Sequence, residues 1–335
     1  MEDSTIRWGV IGAGNVFESK SGPALYKTPN SELVAVMRTD AARAEETARR
    51  HGAARWYMDA EALVNDPGVN AVYIASPHYV HPEHVRLAAR AKKAVLCEKP
   101  AGVNRAQAQQ CVDICKEEGV SLTIAYYRRF WDVTQAMLKY LREGAIGEVV
   151  TARAQVTDFF AGDNERRWLL SRAKSGGDAL ANVGAHWVDL FRYLLGEVKD
   201  VKAYCSSRFS GFETDDTTLT SLRMENGALV SLVVTRRTPV STNELDIFGT
   251  EGRLYASPLS EGRLILHRRG REPEVMNFPR SGVMHSELLA ALVPCLLRGE
   301  PSPLPGEEAV AVWRIMEAAY RSAEERTAVP VEQGS

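Results

Sequence analysis

The sequence predicts an α/β protein of two domains: a doubly wound parallel sheet over residues 1–125, then an α+β domain of mostly antiparallel strands over residues 126–335. Three observations predict it. Short β-rich runs alternate with polar, helix-period segments as far as Ala125, the order that produces parallel strands joined by right-handed crossovers. Beyond Tyr126 strand patterns dominate and carry hairpin signals. Finally, 335 residues, 45% of them hydrophobic, exceed what one ordinary core holds.

The apolar runs lay out the first domain. Ile6–Ile11, Leu33–Met37, Ala71–Ala75, Ala94–Cys97 and Leu122–Ala125 are short and continuous, as strands buried on both faces are. Asp40 and Asn104 stand where helix N-caps belong, and Gly119 where a helix stops. His81, before Pro82, reads as the cap of the next helix. In the second domain a helix from about Phe130 to Arg142 ends at Gly144. Strands then run from Glu148 to Asn277 around one helix between Asp178 and Leu195. Asn226-Gly227 separates two alternating runs, and both residues suit the positive φ of a hairpin turn. Gly249-Thr250-Glu251-Gly252 marks another turn, and helices near residues 286–297 and 307–326 close the domain.

A formal net charge of -2, with acids and bases interspersed, leaves no footprint for nucleic acid or an anionic membrane. A small-molecule partner is expected instead. Cys97, Cys111, Cys115, Cys205 and Cys295 include no CxxC pair, which points to reduced, buried thiols rather than zinc or disulfides. The start, M-E-D-S-T-I-R, lacks a basic end followed by an apolar core, and no apolar run approaches the ~18 residues of a membrane span. A soluble, cytoplasmic protein is expected.

The stretch that organises the chemistry is Val95 to Pro100, an apolar strand ending in Glu98, Lys99 and Pro100. Open parallel sheets place ligands at that edge. Gly12-Ala13-Gly14 follows another strand and precedes a helix, the context of a dinucleotide-binding turn; Asn15, Val16 and Phe17 complete the candidate loop. Phe17 stands where a third glycine is usual, and an ordinary glycine turn is the alternative. After the second strand come Arg38 and Thr39, a cation and a hydroxyl suited to a 2′-phosphate, so NADP(H) is favoured and NAD(H) possible. A solvated arginine at a strand end is the bland alternative.

His78, His81 and His84 do not share one helix face, and no acid or cysteine completes a site, so no metal is expected. In the second domain Asp178, Asn182 and His186 recur every four residues on one helix face, with Val183, Trp187, Leu190, Phe191 and Leu194 on the other. A lone helical histidine is more often structural. Beside a crevice that already supplies Lys99, His186 is expected to be a second proton carrier, positioned by Asn182 or Asp178.

With G-A-G, E-K-P, G-G-D-A-L-A-N-V-G-A-H and G-T-E-G-R-L in this order, the chain resembles the Gfo/Idh/MocA oxidoreductases. The resemblance implies an N-terminal Rossmann dinucleotide-binding domain and a C-terminal α+β domain with a large, mostly antiparallel open sheet. It implies hydride transfer between NAD(P) and a carbinol or ketone carbon of a sugar, sugar derivative or cyclitol. Carried over by residue, Lys99 holds the reacting oxygen and relays a proton, and His186 is the acid/base. Pro100 matches a proline often cis, and Glu98, Ser76, Pro77, His81 and Arg129 match residues around the cofactor. Asn182 stands where the family usually has aspartate, and Asp178 where it has a third glycine. Lys92 replaces a glycine expected at a helix end. Tyr127, Trp168 and Asp178 are candidates for the substrate wall.

The family also implies a homodimer or homotetramer through the exposed sheet face. Two other functions share the fold: a non-catalytic cofactor-binding regulator, and a glycosidase that recycles bound nicotinamide.

Overall fold

The computed structural model describes residues 4–162, 166–280 and 282–332. Backbone packing divides the chain into two units, residues 1–127 with 281–310, and residues 128–280 with 311–335. The first break follows Tyr127, and residues 281–310 group with the first unit. The reason is local: the helix there packs on the first strand and first helix, and His285 bonds Glu98.

In the first unit β1 (Ile6–Ile11), β2 (Ser31–Met37), β3 (Arg55–Tyr57), β4 (Ala71–Ile74), β5 (Ala94–Cys97) and β6 (Leu122–Ile124) form one parallel sheet in the order β3-β2-β1-β4-β5-β6. The order reverses between β1 and β4, so a crevice opens at their carboxyl ends. The crossover helices are α1 (Gly22–Lys27), α2 (Ala41–His51), α3 (Ala60–Val64), α4 (His81–Arg90) and α5 (Arg105–Glu118). Asp40 and Asn104 cap α2 and α5 by accepting from Arg43 N and Gln107 N, and Gly119 ends α5 in the left-handed region. Lys92 is also left-handed, at φ 59°. The short β3 and α3 carry too few residues to show a period.

Two expectations change here. A π-helical turn, Phe17–Ser21, precedes α1, with Gly22 N–H donating to Phe17 O. The fully buried Phe17 fills the space that a third glycine would leave open, and the helix widens around it. His81 caps nothing with its side chain; it is the first residue of α4 and entirely buried.

The second unit contains α6 (Asp132–Arg142), the short α7 (Arg172–Ser175), and α8 (Ala185–Leu195), which continues a π-helical turn over Ala179–Gly184. Its sheet comprises β7 (Val149–Phe159), β8 (Val198–Ser206), β9 (Thr217–Met224), β10 (Leu229–Thr235), β11 (Arg237–Gly249), β12 (Gly252–Ala256), β13 (Arg263–Arg268), β14 (Glu274–Asn277) and β15 (Val329–Pro330). The order is β14-β13-β12-β11-β7-β10-β9-β8-β15, antiparallel except where β10 runs parallel to β7. Helices α9 (Ser286–Arg298) and α10 (Glu307–Glu325) complete the chain.

The hairpin between β9 and β10 differs from expectation, because only Gly227 takes a positive φ, of 90°. Asn226 instead accepts from Ala228 N at 3.1 Å and donates to Leu195 O at 3.0 Å. Nor is α8 two-faced: polar His186 and Asp189 are buried together with Trp187, Leu190 and Phe191, as on a helix surrounded by protein. Cys97, Cys111 and Cys115 are buried, whereas Cys205 and Cys295 are half-buried. Among the described residues no helix is long and apolar enough to cross a membrane.

Candidate active site

The first unit supplies a strand-end constellation around Glu98. Strand β5 is apolar to Cys97; Glu98 N then bonds Ile74 O of β4 at 2.9 Å, and the Lys99–Pro100 peptide that follows is cis. Glu98 is buried, and its Oε1 accepts from Tyr73 O–H at 2.7 Å and from His285 Nε2 at 2.8 Å. Burial alone would push this carboxyl up. The His285 imidazole, the neighbouring Lys99 ammonium and the Tyr73 hydroxyl outweigh burial and hold it down at about 2. Glu98 is therefore a fixed anion directly before Lys99, and its Oε2 also receives Lys99 N at 3.3 Å. Tyr127 stacks on His285 with ring centres 4.4 Å apart.

Sequence reasoning missed Tyr73 and His285. Tyr73 carried a signal, a hydroxyl inside the otherwise apolar A-V-Y-I run; His285 carried none.

Residue His81 ties two strand-end loops together. Its ring nitrogens lie 2.8 Å from Ser76 O and 3.0 Å from Pro100 O. Both carbonyls accept only from a protonated ring; burial opposes that form and pulls the imidazole down to about 4. At neutral pH the ring donates to one carbonyl. Ser76 Oγ lies 2.8 Å from His84 Nδ1, and among the described residues no three His, Cys, Asp or Glu side chains gather as a metal site requires.

The glycine turn fits a dinucleotide. Gly12 has φ +82° and a Cβ there would stand 2.7 Å from Ser76 N, so only glycine lets the β1 and β4 loops meet. A Cβ at Gly14 would meet nothing closer than 4.0 Å, which leaves the backbone open to a pyrophosphate. The first helical amides, at Asn15 and Val16, lack a carbonyl one turn earlier within the helix and are donors for an anion.

The second unit places Asp178 just before the π-helical turn, Asn182 within it and His186 in the first turn of α8; Asp178 and His186 are buried and Asn182 is half-buried. Asn182 Nδ2 donates to Asp178 Oδ1 at 3.1 Å, and Arg236 Nη1 donates to the same oxygen at 2.5 Å. Burial raises the Asp178 carboxyl despite the Arg236 charge. Arg236 also pairs with Asp158 at 3.1 Å. The amides of Asp178 and Leu180 donate to Asp215 at 3.1 and 2.7 Å, so an acid from another segment caps this helix. Gly177 is required by a close approach, since its Cβ would stand 2.0 Å from the Tyr320 hydroxyl oxygen. Asp215, Arg236 and Tyr320 escape sequence reading because they lie 37, 58 and 139 residues from the groups they bond. Arg129 is bidentate to Asp189 at 3.0 and 2.6 Å and lies over Tyr193, a role inside its own unit that the sequence does not indicate. Trp168 is half-buried in the single turn Arg167–Leu170.

Residues 6–126 match the description "oxidoreductase family, NAD-binding Rossmann fold", and residues 134–255 match the GFO/IDH/MocA C-terminal domain. An oxidoreductase of Formosa agariphila is 40% identical over 205 residues, which are 60% of this chain and 64% of that protein. The chain thus spans just under two thirds of that relative. The trans-1,2-dihydrobenzene-1,2-diol dehydrogenase of Homo sapiens is 32% identical over 251 residues, 74% of this chain and 73% of that one. Among solved structures, an aldose-aldose oxidoreductase from Caulobacter crescentus complexed with glycerol superposes with a TM-score of 0.89 at 26% identity, covering 97% of this chain and 99% of that chain.

Proposed function

This chain belongs to the GFO/IDH/MocA oxidoreductase family, and from that premise we propose that it transfers a hydride between NADP(H) and a carbinol or ketone carbon of a sugar, sugar derivative or cyclitol. One observation carries the reading: Lys99 follows a buried Glu98, held as a carboxylate at neutral pH, at the carboxyl edge of a parallel sheet whose β1 loop is open to a pyrophosphate. The nicotinamide, when bound, supplies or accepts the hydride. Lys99 Nζ holds the substrate oxygen and stabilises the charge that develops there. The His186 imidazole accepts or returns the hydroxyl proton, oriented by Asn182. Tyr127, Trp168 and Asp178 contact the substrate. Ser76, Pro77 and His81 border the nicotinamide half of the cofactor, and Arg38 and Thr39 receive the 2′-phosphate.

Initial rates over a panel of sugars and polyols, read by nicotinamide absorbance, test this. Turnover with at least one member and a preference for NADP(H) is expected; a clear preference for NAD(H) removes the 2′-phosphate assignment. Asn182 favours a second reading, a non-catalytic cofactor-binding regulator, because a carboxamide cannot offset a charge on His186. Intact Lys99 and His186 favour the enzyme, and Asn182 is held in place by donating from Nδ2 to Asp178 Oδ1 at 3.1 Å. Tight NADP binding without turnover across the panel would favour the regulator.

A further inference from the structure

A second constellation in the first unit has no part in the roles above. It centres on Glu18, in the π-helical turn that precedes α1. Glu18 Oε1 accepts from Thr47 Oγ1 at 3.0 Å, and Oε2 accepts from Arg50 Nη1 at 2.8 Å. His51 Nε2 donates to the same Oε2 at 3.1 Å, while Tyr26 O–H donates to His51 Nδ1 at 3.3 Å, so one neutral tautomer satisfies both contacts. The Phe17 ring lies against His51 at 4.7 Å. Burial works against the charged form of Glu18, but the His51 and Thr47 hydrogen bonds and the Arg50 charge outweigh it, and the group remains a carboxylate.

This anchored carboxylate grips Arg38 by one corner. Arg38 Nη1 donates to Thr47 Oγ1 at 3.3 Å and lies 3.8 Å from Glu18 Oε1. The Thr47 hydroxyl has one proton, which goes to Glu18, and its lone pair receives Arg38. Nε and Nη2 of Arg38 make no hydrogen bond among the described residues, so two parallel donors of a planar fork stay open. Arg38 directly follows β2, the strand whose carboxyl end meets the adenosine ribose in a sheet of this order. The acid nearest to Arg38 in sequence, Asp40, is used as the cap of α2 and accepts from Arg43 N at 2.9 Å.

We propose that Glu18 and Thr47 are positioning residues that set the preference of this chain for a 2′-phosphorylated cofactor, by holding Arg38 so that its free edge meets the phosphate. The inference rests on the NADP(H) reading above.

Equilibrium titration of the full chain with NADPH and with NADH, followed by nicotinamide fluorescence, tests it without any substrate. The wild type binds NADPH more tightly. Glu18→Gln and Thr47→Val each weaken NADPH by roughly tenfold, the worth of one charge-assisted hydrogen bond, and weaken NADH less. Thr47→Ser, which keeps the hydroxyl, retains the wild-type ratio; a merely structural role for Thr47 would not separate these variants by cofactor. If Glu18→Gln does not fold, the Thr47→Val and Thr47→Ser pair decides. An unchanged or increased NADPH:NADH preference in Glu18→Gln, or failing that in Thr47→Val, overturns the inference while leaving the NADP(H) reading intact. A wild type that binds NADH more tightly overturns that reading and the inference with it.

Discussion

Glu98 is a carboxylate held almost out of reach of water, and its partners decide its charge. Its pKa lies at about 2 rather than the ordinary 4.5, so the unfolded chain binds the proton first as pH falls. Stability from this group is complete above about pH 4.5 and is lost toward about pH 2. The buried His81 acts in the same direction one window higher, since its pKa of about 4 lies below the ordinary 6.5. It also makes folding less favourable as pH falls, here between about 6.5 and 4. Urea unfolding measured from pH 7 downward is therefore expected to show stability falling steadily below about pH 6.5. In Glu98→Gln the lower part of that fall becomes shallower, the remainder coming from other carboxyls held down in the fold, such as Glu18 and Asp66. A stability that stays flat to pH 4 would contradict the burial described for His81.

At the scale of elements, what can be read from the chain depends on how local the cause is. Asp40, Asn104 and Gly119 act within four residues of their targets, and α2 and α5 begin, and α5 ends, where those residues predict. Asn104→Ala is expected to remove about 1 kcal/mol of stability, read as a lower urea midpoint at unchanged slope. The E-K-P stretch and the glycine turn are legible for the same reason: each sits directly after an apolar strand. Long-range partners are not legible. His285 reaches Glu98 across 187 residues, and Arg236 reaches Asp178 across 58. The π-helical turns at Phe17–Ser21 and Ala179–Gly184 are invisible as well, because one extra residue per turn hardly alters a periodicity over such short spans. His81 misleads for a related reason, since Pro82 marks the helix start but the imidazole answers to carbonyls in two other loops.

At the scale of the whole molecule, the second unit's sheet exposes an apolar row across neighbouring strands. Tyr204 of β8 pairs with Leu219 of β9, which pairs with Val233 of β10; Tyr204 is 65% and Leu219 45% exposed. We propose that this face joins copies of the chain in a homodimer or homotetramer, because contiguous apolar surface of this kind marks an interface. Light scattering after size exclusion is expected to give a multiple of 37.0 kDa for the wild type and a smaller species for Leu219→Arg. A monomeric wild type would remove the proposal. The central claim, that hydride transfer depends on the ammonium following Glu98, has a more direct test in Lys99→Met. Turnover measured beside NADPH binding is predicted to fall by roughly a thousandfold or more while cofactor affinity stays close to wild type. Turnover within about tenfold of wild type, with the cofactor still bound, would contradict the account.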